Sequence, residues 1–207
     1  MGYILTREAE IMSQYSLYFA EKISAMVVNK VPYVEIRNEI KDALDSNQPL
    51  EWGVVGSCIV AIAQSEEHEF FIHMNLLDFA MQAFEVDGED SILDRFQVQY
   101  SLANIYSDQA GLKRKFELYE DLVDGATSRM KENSTEDPFY YWSTRSLNRL
   151  AQLTQYWKGE EVAESLWHKL VKIISEAGDM DAFLPVIESN ATWFIEANPE
   201  MFPNYSD

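Results

Sequence analysis

The sequence predicts an all-α fold, a single domain over residues 1–207 in which antiparallel helix pairs stack as an irregular array. Three observations predict it. Apolar residues recur at spacings of three and four, as in Met12, Tyr15, Phe19, Ile23 and Met26 or in Leu147, Leu150, Ala151 and Thr154, which is the period of a helix with one buried face. Strand-like alternation is almost absent. Breaker residues fall at intervals suited to about nine helices of roughly 13 to 22 residues.

Taken in order, the first helix closes at Asn29 to Pro32 and the second at Asp45 to Pro49. The third, residues 52–64, is apolar on every side and is expected to be buried, with Gly53, Ser57 and Ala61 as a small-residue stripe for close approach. Gln64 to Glu66 separates it from the fourth, which runs to the turn at Asp87 to Asp90. There Gly88 suits a left-handed helix end, and Ser91-x-x-Asp94 reads as a capping box for the fifth helix. After Asp108 to Gly111 the sixth opens with Lys113-Arg114-Lys115 and ends at Glu132 to Pro138. Asp137 caps the seventh, Pro138 occupies its first turn, and the aromatic run Phe139 to Trp142 supplies core and staple. Lys158-Gly159 ends it, Ala177 to Asp179 ends the eighth, and Asn198-Pro199 the ninth. Such short connections make neighbouring helices antiparallel.

Within residues 147–170, Leu147, Leu150-Ala151 and Thr154, then Ala163 and Trp167, stand at the spacing of a helix-turn-helix repeat. The segment resembles a tetratricopeptide repeat. A poorer copy over 99–122 begins with Leu102-Ala103 and Tyr106, but Lys115 stands where the second helix should have a small residue, and no proline closes either copy. The resemblance implies stacked helix pairs of the kind that serve as binding surfaces rather than catalysts.

Composition narrows the function. The chain has 207 residues, enough for one sizeable core, and a single cysteine, Cys58, in an apolar run. No disulfide framework is expected, which points to a reducing, cytoplasmic setting. The N-terminus lacks the pattern of a secretory signal, and the longest apolar run, Trp52 to Ala63, falls short of the ~20 residues of a membrane span. Gly2 and Thr6 fit the minimal myristoylation pattern, yet one acyl chain without a basic patch anchors only marginally. The triplets beginning at Asn133, Asn190 and Asn204 are glycosylation acceptors only in a secreted protein. With 35 acidic against 16 basic residues the net charge is −19. Direct nucleic-acid binding is disfavoured by long-range repulsion, no membrane is implied, and the expected partner is a basic macromolecule: a toxin, a nuclease or a nucleic-acid-binding protein.

Candidate chemistry is sparse. As a calcium loop, the stretch 83–94 would take Ala83, Glu85, Asp87 and Asp94 as ligands around Gly88, and an alanine cannot coordinate. Glu85 and Asp87 close their helix, where negative charge costs roughly 0.3 to 1 kcal/mol each; local structure has no use for them there, which marks them for a function. Glu69 and His73, four apart with Glu66, Glu67 and His68 beside them, and Glu164 with His168, are the metal candidates. Neither completes the ligand set of a di-iron bundle. The pairs Glu161/Glu164 and Glu176/Asp179 are similar in spacing to those of all-α nucleotide pyrophosphohydrolases, but the second runs through Gly178. Cys58 has no polar neighbours, and neither a phosphate loop nor a nucleophile elbow occurs. Lys113 to Lys115 are expected to pair with nearby acids, and Arg145 and Arg149, one turn apart, suit a carboxylate or phosphate but are expected to pair internally. No catalytic residue, cofactor or metal is expected.

In an up-and-down array alternate turns share an edge. Residues 41–52, 85–95, 129–138 and 176–181 together hold 14 acids against 4 bases; the alternate set 28–37, 64–70, 106–115 and 156–164 holds 8 against 6. The expected partner-binding residues are therefore Glu85, Asp87, Glu89, Asp90, Asp94, Glu132, Glu136, Asp137, Glu176, Asp179 and Asp181. The expected function is non-enzymatic capture and inhibition of a basic partner, and the build resembles, in a general way, immunity proteins, antitoxins and phage inhibitors. Three alternatives stand beside it: a DNA mimic, a tetratricopeptide-like peptide-binding scaffold and a carboxylate/His metal-dependent helical enzyme.

Overall fold

The structure, a computed structural model, describes residues 2–46, 50–65, 70–106 and 111–203, without the side chains of 2–11, 65 and 70. The described residues form helices and turns with no strand. The chain divides into two compact units, Met1–Ile105 and Tyr106–Asp207.

The first unit holds α1 (Gly2–Val28), α2 (Tyr33–Asp45), α3 (Trp52–Ser65), α4 (Phe70–Asp87), a 3₁₀ turn (Gly88–Ser91) and α5 (Ile92–Ile105). Helix α3 packs between α1 and α4, and α4 also meets α2 and α5. Phe19, Ala20 and Ile23 of α1, Ile36 and Ile40 of α2, Val55 and Ile59 of α3, Leu76, Ala80 and Phe84 of α4 and Phe96 and Leu102 of α5 fill the core. The buried stripe of α1 is rotated from the expected one: Tyr15 is 64 % exposed, whereas Ser16 is fully buried. The reason is polar. Ser16 Oγ donates to the Met12 carbonyl at 2.8 Å and accepts the N–H of Glu51 at 2.8 Å, so a buried hydroxyl serves the entry to α3.

The expectation that α3 is buried on every side is corrected. Trp52, Val55, Gly56, Ile59 and Ala63 face inward, while Ser57 and Ala61 are exposed and Cys58 is half-buried. Close approach uses Gly53 and Gly56 rather than the Gly53, Ser57, Ala61 stripe: a Cβ on Gly56 would lie 2.6 Å from the Phe84 ring. Gly88 takes φ +80°, as a left-handed helix end requires.

The second unit holds α6 (Leu112–Arg129), α7 (Pro138–Lys158), α8 (Glu160–Glu176), α9 (Met180–Ala197) and a 3₁₀ turn (Pro199–Met201). Helix α7 packs on both α6 and α8, and α8 on α9. Its entry follows the sequence: Asp137 Oδ1 accepts the N–H of Phe139 at 2.8 Å, with Pro138 behind it. Tyr140 is buried, while Tyr141 is exposed. A single residue, Gly159, joins α7 to α8 at φ 97° and ψ 166°. The repeat-like residues Leu147, Leu150, Ala151, Thr154, Ala163 and Trp167 are all buried about this hairpin. Gln155 ties three helices together: its Oε1 accepts Trp167 Nε1–H at 3.0 Å and its Nε2 donates to the Asn190 carbonyl at 2.7 Å. That carbonyl lies at the kink of α9, where Ala191 leaves helical geometry at φ −144° and ψ 47°.

Candidate functional site

In the first unit the acidic stretch is built into local structure. Asp87 Oδ2 accepts the Ser91 hydroxyl at 2.6 Å. A Cβ on Gly53 would meet the same Asp87 oxygen at 2.6 Å and Ser91 Oγ at 2.7 Å, so both side chains rest on the first turn of α3. The carboxylate that burdens the C-terminus of α4 thus serves the N-terminus of α3, where the backbone dipole favours it. Glu85 Oε1 pairs with Arg95 Nη2 at 3.7 Å. The expectation that local structure has no use for Glu85 and Asp87 is therefore corrected, and the capping box is replaced by the Ser91–Asp87 hydrogen bond. Glu89, Asp90 and Asp94 are exposed, and Ala83, the first position of the calcium reading, is buried in the core.

In the second unit two turns that are distant in sequence are fastened together. Asn133, in the link before α7, hydrogen-bonds through Nδ2 to Glu176 Oε2 at the end of α8. The Tyr140 hydroxyl donates to Asp179 Oδ2 at 2.9 Å; burial, and after it the bond to Asp179, pushes the phenol well above its ordinary range. Asp137 closes the link on itself, since its Oδ2 also accepts the N–H of Lys131 at 2.9 Å. Burial pushes this carboxyl up, but the N–H groups of Lys131, Phe139 and Glu132 and the Lys131 charge outweigh it and hold its pKa below the ordinary value. The result is one acidic end of the unit, carrying Glu132, Glu136, Asp137, Glu176, Asp179 and Asp181. Glu132, Glu136 and Asp181 are exposed and make no ion pair with a described residue.

The other candidates disperse. Glu66, Glu67, His68 and Glu69 lie outside the described residues, as do Asn204 to Ser206. His73 Nδ1 is hydrogen-bonded to the Ala63 carbonyl at 2.9 Å. His168 lies 3.7 Å from Glu164 and edge-on to Phe194. Among the described residues no group of three or more His, Cys, Asp or Glu is placed to hold a metal ion. Burial raises the Cys58 thiol pKa, the wrong direction for a nucleophile. Lys113 and Arg114 both reach Glu117, at 3.6 and 3.5 Å, and Arg145 lies 4.4 Å over the Tyr141 ring. No described helix is long and apolar enough to cross a membrane.

One feature has only a faint trace in the sequence. A groove of about 570 Å³ runs between α2 and α4, with Tyr33, Arg37, Lys41 and Asp45 on one wall and Asp78, Phe79, Gln82 and Glu85 on the other. Tyr33 stacks on Phe79 at 6.3 Å and meets Phe71 edge-on at 5.2 Å, which makes one end aromatic. The spacing of Arg37 and Lys41 places them on one helix face, but nothing local shows that α4 stands opposite.

The chain matches no protein-family model, no curated protein and no solved structure.

Proposed function

We propose that the protein is a non-enzymatic binding protein that captures a basic macromolecular partner and blocks its activity, with the acidic end of the second unit as the contact surface. The observation that carries this reading is the fastening of the link before α7 to the end of α8 by Asn133–Glu176 and Tyr140–Asp179. Carboxylates held on a fixed scaffold bind without first paying for their own ordering. Glu132, Glu136 and Asp181, exposed and without an ion-pair partner among the described residues, supply the steering field, and a net charge of −19 extends it. Glu85 and Asp87 drop out of the proposed surface because Arg95, Ser91 and α3 already use them.

The test is association kinetics with the partner recovered from the native host. Replacing Glu132, Glu136 and Asp181 together by lysine leaves the fastening bonds intact and is expected to slow association by about 10- to 100-fold at low salt. Unchanged rate and salt dependence would remove the acidic end from the interface. Competition by duplex DNA for the same partner would mark the surface as a nucleic-acid mimic.

A further inference from the structure

At the corner between α7 and α8 the second unit has a hollow of about 400 Å³, lined by Gln152, Gln155 and Tyr156 of α7, Gly159, Glu160 of α8 and Asn190 of α9. Three of these residues are carboxamides, and the fold holds each of them in place. Gln152 Nε2 donates to Asn148 Oδ1 at 2.9 Å, while its Oε1 accepts Arg149 Nη1–H at 3.4 Å. Gln155 is fixed between Trp167 and the Asn190 carbonyl. Asn190 Nδ2 donates to the Val186 carbonyl at 2.7 Å and to Ser189 Oγ at 2.9 Å. A carboxamide has two N–H donors and two lone pairs. Each glutamine therefore keeps one donor and one acceptor site, and Asn190 keeps the lone pairs of its Oδ1. Glu160 is exposed, and its carboxylate makes no ion pair with a described residue. The Tyr156 ring is 77 % exposed and meets Trp157 edge-on at 5.2 Å.

Charge and shape select the occupant. An anion would meet Glu160 and a net charge of −19. A cation would meet Arg149 beside Gln152 and the positive end of the α8 dipole. A neutral ligand meets neither penalty. One rich in hydroxyls, each both donor and acceptor, matches carboxamides that keep both kinds of site. The exposed ring of Tyr156 calls for a flat apolar face on the same ligand. A pyranose has both features: C–H groups across a face of the ring and hydroxyls round its edge, where neighbouring hydroxyls can share the Glu160 carboxylate. A volume of about 400 Å³ is that of a small-ligand pocket and takes a sugar ring with its substituents. A peptide backbone is also neutral, but it offers Tyr156 no flat apolar face. Because the carboxamides are already fixed, binding does not have to order them.

We propose that this hollow binds a neutral pyranose, its ring face on Tyr156 and its hydroxyl edge on Gln152, Gln155, Asn190 and Glu160. The site is separate from the acidic end of the unit, since the 21 residues of α7 put about 30 Å between them. Amide chemical-shift titration of the full chain tests it with the methyl pyranosides of glucose, galactose and mannose, with the uronate and amino forms of whichever sugar binds, and with N-acetyl-alanine methylamide as the backbone control. At least one neutral glycoside saturates below about 50 mM, at least about tenfold tighter than the charged forms and the control, and shifts the amides of 152–160 and 188–192. Tyr156→Ala, at an exposed position whose replacement leaves the fold intact by circular dichroism, weakens binding at least about tenfold. Tyr156→Phe retains it, because the ring face rather than the hydroxyl makes the contact. No saturation with any of the three glycosides, equal binding of the charged forms or the control, shifts confined to other residues, or native affinity in Tyr156→Ala would overturn the proposal.

Discussion

Removing the Asp87 carboxylate tests the joint between α3, α4 and the 3₁₀ turn. On its own helix Asp87 sits at the unfavourable end, so sequence reasoning makes its loss neutral or stabilising. The structure reverses the sign. Asp87→Ala gives back roughly 0.3 to 1 kcal/mol at the C-terminus of α4 and loses a similar amount at the N-terminus of α3. These two effects cancel to first order. What remains is the 2.6 Å hydrogen bond from Ser91, whose charged acceptor makes it worth about 1.5 to 3 kcal/mol in a buried setting. Ser91 is buried but Asp87 only half so, which trims the expected loss to about 1 to 2 kcal/mol. With a urea m-value near 2 kcal/mol/M, the midpoint falls by roughly 0.5 to 1 M. Trp52, the one tryptophan within residues 1–105, adjoins Gly53 and reports on this joint through a fluorotryptophan NMR signal. A double-mutant cycle with Ser91→Ala should return a coupling of about 1 kcal/mol or more. Additive single effects, or a midpoint that rises with Asp87→Ala, would refute the reasoning.

The remaining predictions concern the second unit. Tyr140→Phe removes the bond to Asp179 and destabilises by about 1 kcal/mol. Because the native phenol pKa is raised, its contribution is complete below the ordinary value of 10.0 and is lost as pH rises beyond it; the variant should show a flatter alkaline stability profile in thermal melts. Asp137 has the opposite sign: its lowered native pKa contributes stability above the ordinary value of 3.8 that is lost as pH falls through the native value, so Asp137→Asn should reduce the acid dependence of unfolding between about pH 5 and 2. Gly159→Ala introduces no clash but forces a side chain into φ 97°, ψ 166°, at an expected cost of about 1 to 3 kcal/mol in denaturant titration.

The helices were legible where a residue acts on its own backbone. Asp137 and Pro138 announce the start of α7, and Gly88 and Gly159 take the left-handed φ values that only glycine supplies cheaply. The sequence misled where a residue serves another element. Ser16 is buried for the N–H of Glu51, 35 residues on, and Ser91 faces Asp87 rather than capping its own helix. A helix as apolar as α3 offers little contrast between its faces to show which side is inside, so its exposed face at Ser57 and Ala61 was hidden. At the candidate site, the turns that would share an end of the second unit followed from the antiparallel order. The bonds that fasten them did not, because Asn133 and Glu176 are separated by 43 residues. Arg37 and Lys41 showed their common face, but the groove needs α4 opposite, which only tertiary packing provides.

The one-residue corner at Gly159 has a mechanical consequence. A helix advances 100° per residue, so lengthening this link by a single position would turn α8 by more than a quarter of a circle relative to α7, or displace it by the rise of one residue. Ala163 and Trp167 would then leave the buried side of α8, and Gln155 would lose Trp167. The hairpin tip has no slack to absorb an insertion, and α7 and α8 therefore behave as one bent rod hinged at the backbone torsions of Gly159.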